Sequence, residues 1–383
     1  YGISSDVQYG TPTNGISIPV LLNNIANPDL TWETTEQVNF GIDFSVLDDR
    51  ISGTIDFYDK KTKDLLQNIP IPTSSGYSNI LINKGDISNK GIELAMNFDL
   101  ISNDDFEFSF GGNIAFNQTK LESLGVPADD FYIDGVAEQR SFFFGNNISR
   151  GQIFQSPANV FVEGEETSLF YGFETDGIYQ SDDTDLVDGA VPGDPRIIDQ
   201  NGDGVIDDLD RTFIGNPNPD FIYGFNLNFR YKRFNASLLF NGVHGNDIAN
   251  GNLLTIGNAT GQFQNVLSDS YYNAWRPDAP SNIHPRIGYN TVGDTAITDR
   301  IIEDGSFLRL NNVTIGYDFP VDNLSVFDRF NLFITAQNLF VWTDYSGYNP
   351  EISSFSYDGL RNGVDWNGSP DAKNISIGLN LNF

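Results

Sequence analysis

Cysteine is absent from all 383 residues, so the chain has no disulfide framework, no thiolate metal site and no cysteine nucleophile. Histidine is almost absent: His244 and His284 are the only two, and no His-Glu-x-x-His, Gly-x-Ser-x-Gly or phosphate-cradling glycine motif accompanies them. Carboxylate pairs are too common in so acidic a chain to single out glycosidase residues. The chain therefore reads as a non-enzyme, with His244 a packed or lumen-edge residue. Basic side chains are also scarce, 21 against 52 acidic ones, for a formal charge of −31. That balance disfavours nucleic acid and anionic headgroups as partners and favours cations or basic or neutral ones. No stretch approaches 18 consecutive apolar residues, which excludes a transmembrane helix but not a barrel, where only every second residue need be apolar. The first residues, Tyr1-Gly2-Ile3, show neither an initiator Met nor a signal-peptide pattern. They suggest a processed end or the middle of a longer protein.

What the chain does have is alternation. In the last ten residues, Ile375, Ile377, Leu379, Leu381 and Phe383 alternate with Ser376, Gly378, Asn380 and Asn382. Period two puts all the apolar groups on one face of a strand. Alone, such a strand fits either a soluble sandwich or a membrane barrel. Eight earlier stretches share the pattern, near 38–46, 51–58, 92–100, 106–117, 221–231, 234–240, 307–319 and 330–337, with a bulge expected near Asn311 and Asn312. Residues 1–31 read as loop, 118–220 as a long irregular region, and 266–275 as a short helix.

The connections between these nine strands alternate short and long, the wiring of a barrel with tight periplasmic turns and large outer loops. Phe106, Tyr231, Phe234, Phe319, Phe330 and Phe383 lie beside short turns, and Trp32 and Trp342 at long-loop ends, as two interfacial girdles would require. The fold expected is therefore all-β: a transmembrane antiparallel up-and-down β-barrel with long extracellular loops. Nine is an odd number, so the sheet should be an open part of a larger barrel whose other strands lie upstream of Tyr1. Asn39, Asp43, Glu93, Asn97, Asn113, Asn226, Asn228 and Gln337 then face the lumen, as wall residues rather than as a defined binding site.

One motif carries ligand chemistry. Asp199, Asn201 and Asp203 stand at positions 1, 3 and 5 of a calcium loop, Gly204 at its turn, Val205 with its carbonyl at position 7, Asp207 at 9 and Asp210 at 12. Hard oxygen donors at this spacing suit a structural Ca²⁺. The other reading is an acidic, glycine-rich surface turn with no ion. Loop aromatics, Phe142 to Phe144, Tyr271, Tyr272, Trp275, Tyr345 and Tyr348, either contact a ligand or partner or pack the loops together.

Several segments resemble the SusC/RagA-type TonB-dependent outer-membrane transporters. They are Asn27-Pro-Asp-Leu-Thr-Trp-Glu33, Asn89-Lys-Gly-Ile-Glu93, Tyr171-Gly-Phe-Glu-Thr-Asp-Gly-Ile-Tyr179 and the run from Gly193-Asp-Pro through Asp199-Gln-Asn-Gly-Asp-Gly to Asp220. Ser306-Phe-Leu-Arg-Leu-Asn-Asn312, Ala336-Gln-Asn-Leu339 and the terminal Phe383 complete the set, in family order. The resemblance implies a 22-stranded barrel of the Gram-negative outer membrane with an N-terminal plug, a SusD-like surface lipoprotein as lid, and uptake of oligosaccharides or peptides energised by TonB. It also implies that Phe383 is a signal for the barrel-assembly machinery. Residues 1–383 correspond to the C-terminal barrel part, with 120–220 as a long extracellular loop carrying the calcium-type loop 199–210. The plug and its TonB-contacting segment are expected to be missing. The competing expectation is a calcium-braced surface adhesion or scaffold protein anchored by a barrel.

Overall fold

The computed structural model describes residues 7–8, 21–22, 27–70, 79–149, 156–187, 189–257, 265–288, 297–321, 328–352 and 354–383. Most of 1–31 and of the turn 322–328 lies outside these. Nine strands form one sheet: β1 (Thr34–Val46), β2 (Ile51–Lys63), β3 (Asp86–Ser102), β4 (Phe106–Ser123), β5 (Phe221–Tyr231), β6 (Phe234–His244), β7 (Phe307–Phe319), β8 (Arg329–Thr343) and β9 (Asn374–Asn382). Their order across the sheet is their order along the chain, and every neighbouring pair is antiparallel. All tight turns therefore fall at one end of the sheet and all long connections at the other, as the alternation of lengths requires. β3 and β4, at 17 and 18 residues, exceed the expected length of about ten for a tilted membrane strand. Their extra turns of chain project beyond the long-loop end.

Local chemistry closes the tight turns. Leu47, Asp48 and Asp49 take positive φ between β1 and β2, a conformation that Asp tolerates better than most residues. Between β3 and β4, the Asn103 side-chain oxygen accepts the N–H groups of Asp105 and Phe106, at 3.2 and 2.9 Å. The bulge expected near Asn311 is present: Leu239 pairs with Asn312 and Phe240 with Leu310, which leaves Asn311 without a partner in that register.

Register places apolar residues opposite apolar ones across the sheet, for example Ile334 between Ile315 and Ile377. This face is bare. Phe40 is 64% exposed, Ile315 56% and Ile377 72%, and no helix among the described residues is long and apolar enough to cross a membrane. A soluble sandwich would bury such a face under a second sheet; a barrel turns it to lipid. At the tight-turn end, Phe106 packs on Tyr231, Phe319 on Phe330 and Phe234 on Tyr317, with centroids 6.5, 4.8 and 4.7 Å apart, and Trp342 is exposed at the other end.

The dry core lies in the connections instead. Residues 124–220, expected to be irregular, carry a five-stranded sheet ordered Arg211–Gly215, Leu169–Phe173, Asn159–Val162, Val136–Phe144, Ala128–Ile133. Phe131, Val160, Val162 and Tyr171 form its buried centre. The sequence signal was weak because most of these strands are short and two inner ones, Asn159–Val162 and Leu169–Phe173, are buried on both faces, so they lack alternation. A second cluster joins three connections: Ile148, Ala158 and Phe170, then Ala249, Ile297 and Ile301, then Phe355 and Val364. Asp247–Asn250 pairs with both Ile302–Asp304 and Val364–Asp365 in the same region. The helix expected at 266–275 is the shorter Ser268–Tyr272.

Candidate functional site

The second face of the sheet is polar and glycine-rich. Its cross-strand rows follow from register. One runs Asn97, Gly111, Asn226, Leu239, Asn312, Gln337, Asn374, and its neighbour runs Asp43, Thr54, Ala95, Asn113, Gly224, Asn241, Arg309. All eight residues expected to face the lumen lie on this side. Gly111 leaves room for its neighbours: a Cβ would sit 2.6 and 2.8 Å from the side-chain oxygens of Asn226 and Asn97, which lie across it and would have to turn away. Hydroxyl and amide groups bond across the strands within a third row, from Ser237 to Asn228 at 2.8 Å and between Thr314 and Thr335 at 3.0 Å.

Nearer the long-loop end, this face holds a concave trough of about 700 Å³. It brings together Glu93, Asn97, Asn113 and Asn226 from the expected set, while Asn39, Asp43, Asn228 and Gln337 stand outside its lining. It adds Asp56 and Asn241 and an apolar strip of Ile222, Leu239 and Val243. Asp56 faces Glu93 directly across the β2–β3 pairing, an arrangement that costs stability between like charges. Asp56 was legible as a polar residue between Ile55 and Phe57; its partner on the next strand was not.

Arg309 is the wall residue that sequence reading missed. It lies in the second row, between Asn241 and Val341, and is 2% exposed. Its guanidinium donates to Asp371 at 2.6 Å and to Asn349 at 2.6 Å, and it pairs with Glu351 at 2.9 Å. All three partners come from the connection between β8 and β9. Its Nε has no partner in the buried space it occupies. An arginine between Leu308 and Leu310 was the available signal. The other arginines of this face lie at the tight-turn end and are paired, Arg230 with Glu107 and Arg329 with Asp318. His244 stands exposed at the rim of the opposite face, beside Phe221.

The calcium-type loop is a compact, self-bonded turn. Asp199 accepts the N–H groups of Gly202 and Gly204, both at 2.7 Å. Asp203 accepts that of Val205 at 2.8 Å. Asp207 caps the 3₁₀ turn Asp208–Asp210, and the fully buried Asp210 accepts N–H groups from Gln200 and Asp207, at 3.0 and 2.9 Å. Asn201 bonds to Asp203, and Gly202 and Gly204 take the positive φ that the turn demands. Among the described residues, no group of three or more His, Cys, Asp or Glu is arranged to hold a metal ion. The donor chemistry fits Ca²⁺ all the same, since carboxylate oxygens that accept N–H groups retain further lone pairs.

The loop aromatics divide. Phe142 packs on Phe131 and Phe143 on Phe161, at 4.9 and 4.8 Å between centroids, and Trp275 and Tyr345 are buried. Tyr271, Tyr272 and Tyr348 are exposed. Burial pushes the Tyr171 hydroxyl up to about 12, although its bond to the Tyr132 carbonyl is 2.8 Å. Burial also raises the Asp247 carboxyl, with Asp304 adding to the effect.

Comparison with known proteins agrees with this architecture. Residues 4–161 match the family model described as TonB dependent receptor-like, beta-barrel. TonB-dependent receptor P3 of Formosa agariphila is 34% identical over 95% of this chain, which covers 35% of that protein. TonB-dependent receptor SusC of Bacteroides thetaiotaomicron is 29% identical over 93% of this chain, covering 32% of its own length. The chain thus spans about a third of the curated relatives it matches. Among solved structures, the RagAB peptide transporter superposes with a TM-score of 0.76 over the whole of this chain and 39% of its own, at 23% identity. Together with the bare apolar face, polar inner face and alternating connections, these similarities support reading the chain as a barrel portion of the SusC/RagA type of TonB-dependent receptor, proteins of the outer membrane.

Proposed function

We propose that this chain supplies part of the lumen wall of an outer-membrane importer, which in the whole protein takes up oligosaccharides or peptides with energy passed from TonB. The observation that carries the reading is the pairing of one lipid-suited face with one polar face that holds a 700 Å³ trough. An adhesion protein anchored by a barrel has no need of a hydrogen-bonding wall with an open trough. A SusD-like lipoprotein would sit over the folded connections, whose exposed Tyr271, Tyr272 and Tyr348 suit such a contact. The similarity in fold to the RagAB peptide transporter supports a peptide as readily as a sugar cargo. Deleting the gene for the complete receptor and measuring uptake of labelled oligosaccharides and peptides tests this. Loss of uptake restored by the intact gene is expected; unchanged uptake of every probe would overturn it.

The same reading gives the 199–210 loop a structural Ca²⁺, with Asp199, Asn201, Asp203, the Val205 carbonyl, Asp207 and Asp210 as donors. Its place beside the hairpin at Asp134, which accepts from Thr212 at 2.7 Å, supports a bracing role for the ion. Titration calorimetry on the receptor should show one site; no heat at millimolar Ca²⁺ would refute it.

A further inference from the structure

We infer that the trough is an electrostatic filter that admits neutral and cationic oligomers and repels polyanionic ones. The inference rests on the importer reading and narrows its cargo by charge. Among the described residues, the trough lining contains carboxylates, amides, small residues and aliphatic and aromatic groups, but no Lys, Arg or His. Asp56 and Glu93 face each other across β2 and β3, and Asp43 lies on the adjoining row. Glu93 and Asp43 are exposed and Asp56 is half-buried. Lys60 shares their face but stands farther along β2 toward the long-loop end and does not line the trough.

A cation does occur farther along the row of Asp43, at Arg309, and it is masked. Arg309 is 2% exposed and held by Asp371, Glu351 and Asn349. Its mask touches the trough directly, because Asn241 of the lining donates to Glu351 at 3.1 Å. Two acidic partners around one guanidinium turn the local sum negative. An anionic oligomer entering the trough thus meets unpaired carboxylates on one flank and a neutralised arginine on the other. The amides remain to bond uncharged hydroxyl or peptide groups, which both kinds of cargo present. At about 7 Å and in a water-like dielectric, two such carboxylates disfavour a passing negative charge by roughly five- to tenfold at low salt.

The test uses the complete receptor, purified in detergent and incubated with two defined pools: a casein digest, and mixed neutral and uronate oligosaccharides of matched length. Captured oligomers are identified by mass spectrometry. Anionic members should be depleted about fivefold or more relative to the input, less so at high salt. Asp56→Asn with Glu93→Gln should abolish the depletion. Glu351→Gln with Asp371→Asn, which unmasks Arg309, should enrich anions. Capture without charge discrimination, or depletion unchanged by the Asp56 and Glu93 substitutions, would overturn the filter alone. Capture of nothing from either pool would overturn the importer reading and the filter with it. The two pools also separate a sugar from a peptide cargo.

Discussion

Replacing Arg309 with methionine keeps most of the volume of the side chain and removes its charge and all its donors. The side chain is 3% exposed and pairs with Glu351 and Asp371 at 2.9 and 2.6 Å. Breaking a fully buried pair costs about 3–5 kcal/mol. Both carboxylates here are 43% exposed and keep part of their hydration, which lowers the expected cost to roughly 2–3 kcal/mol. That loss falls on the connection between β8 and β9, because backbone pairing of β7 to β6 and β8 does not involve the guanidinium. A global melt would report it poorly, since the loss is confined to one connection. Hydrogen exchange on the complete receptor is the appropriate measurement, with amides at 345–352 and 366–372 expected to exchange roughly 30- to 150-fold faster. Equal exchange in Arg309→Met and wild type would show that the clamp does not hold the connection to the wall.

Three further outcomes follow from other parts of the molecule. In Gly172→Ala, the new methyl would clash with the Ile297 carbonyl oxygen, a backbone atom that cannot swing away; the folded connections should lose about 1–3 kcal/mol, read as faster proteolysis between 124 and 220. Ile377→Lys places a charge on the bare face near the middle of β9 and should cost about 2–4 kcal/mol in folding yield in lipid, whereas Ser376→Lys on the polar face should fold normally. Equal yields would contradict the assignment of faces. The Tyr171 hydroxyl is held at about 12 against an ordinary value near 10. Its folded value is raised, so its contribution to stability is complete below pH 10 and disappears as the pH rises through 12. Alkaline difference absorbance should therefore show one tyrosine that ionises only as the module around Phe131 opens.

The strands were legible because a membrane wall has two solvents, and alternation records both. Ile375 through Leu381 stated the two faces of β9, and even the Asn311 bulge showed as a slip of phase. The trough was only half legible. Glu93, Asn97, Asn113 and Asn226 announced their face, but which of the eight polar residues share a concavity depends on register and on the curvature of the sheet. The folded connections were the least legible part. Phe131, Val160 and Phe170 are buried on every side by segments distant in sequence, and a strand surrounded by protein has no period to display.

By itself, then, the sequence determined the wall: nine amphipathic strands, their up-and-down order, and the end at which the large connections gather, all consequences of the period of a strand and the lengths between strands. The tertiary structure alone decided what stands next to what. Asp56 meets Glu93 through the register of β2 on β3. Arg309 is neutralised by Glu351 and Asp371, from the connection that follows Thr343. Charge acts through space, so the sign of the trough could be known only once the chain had folded.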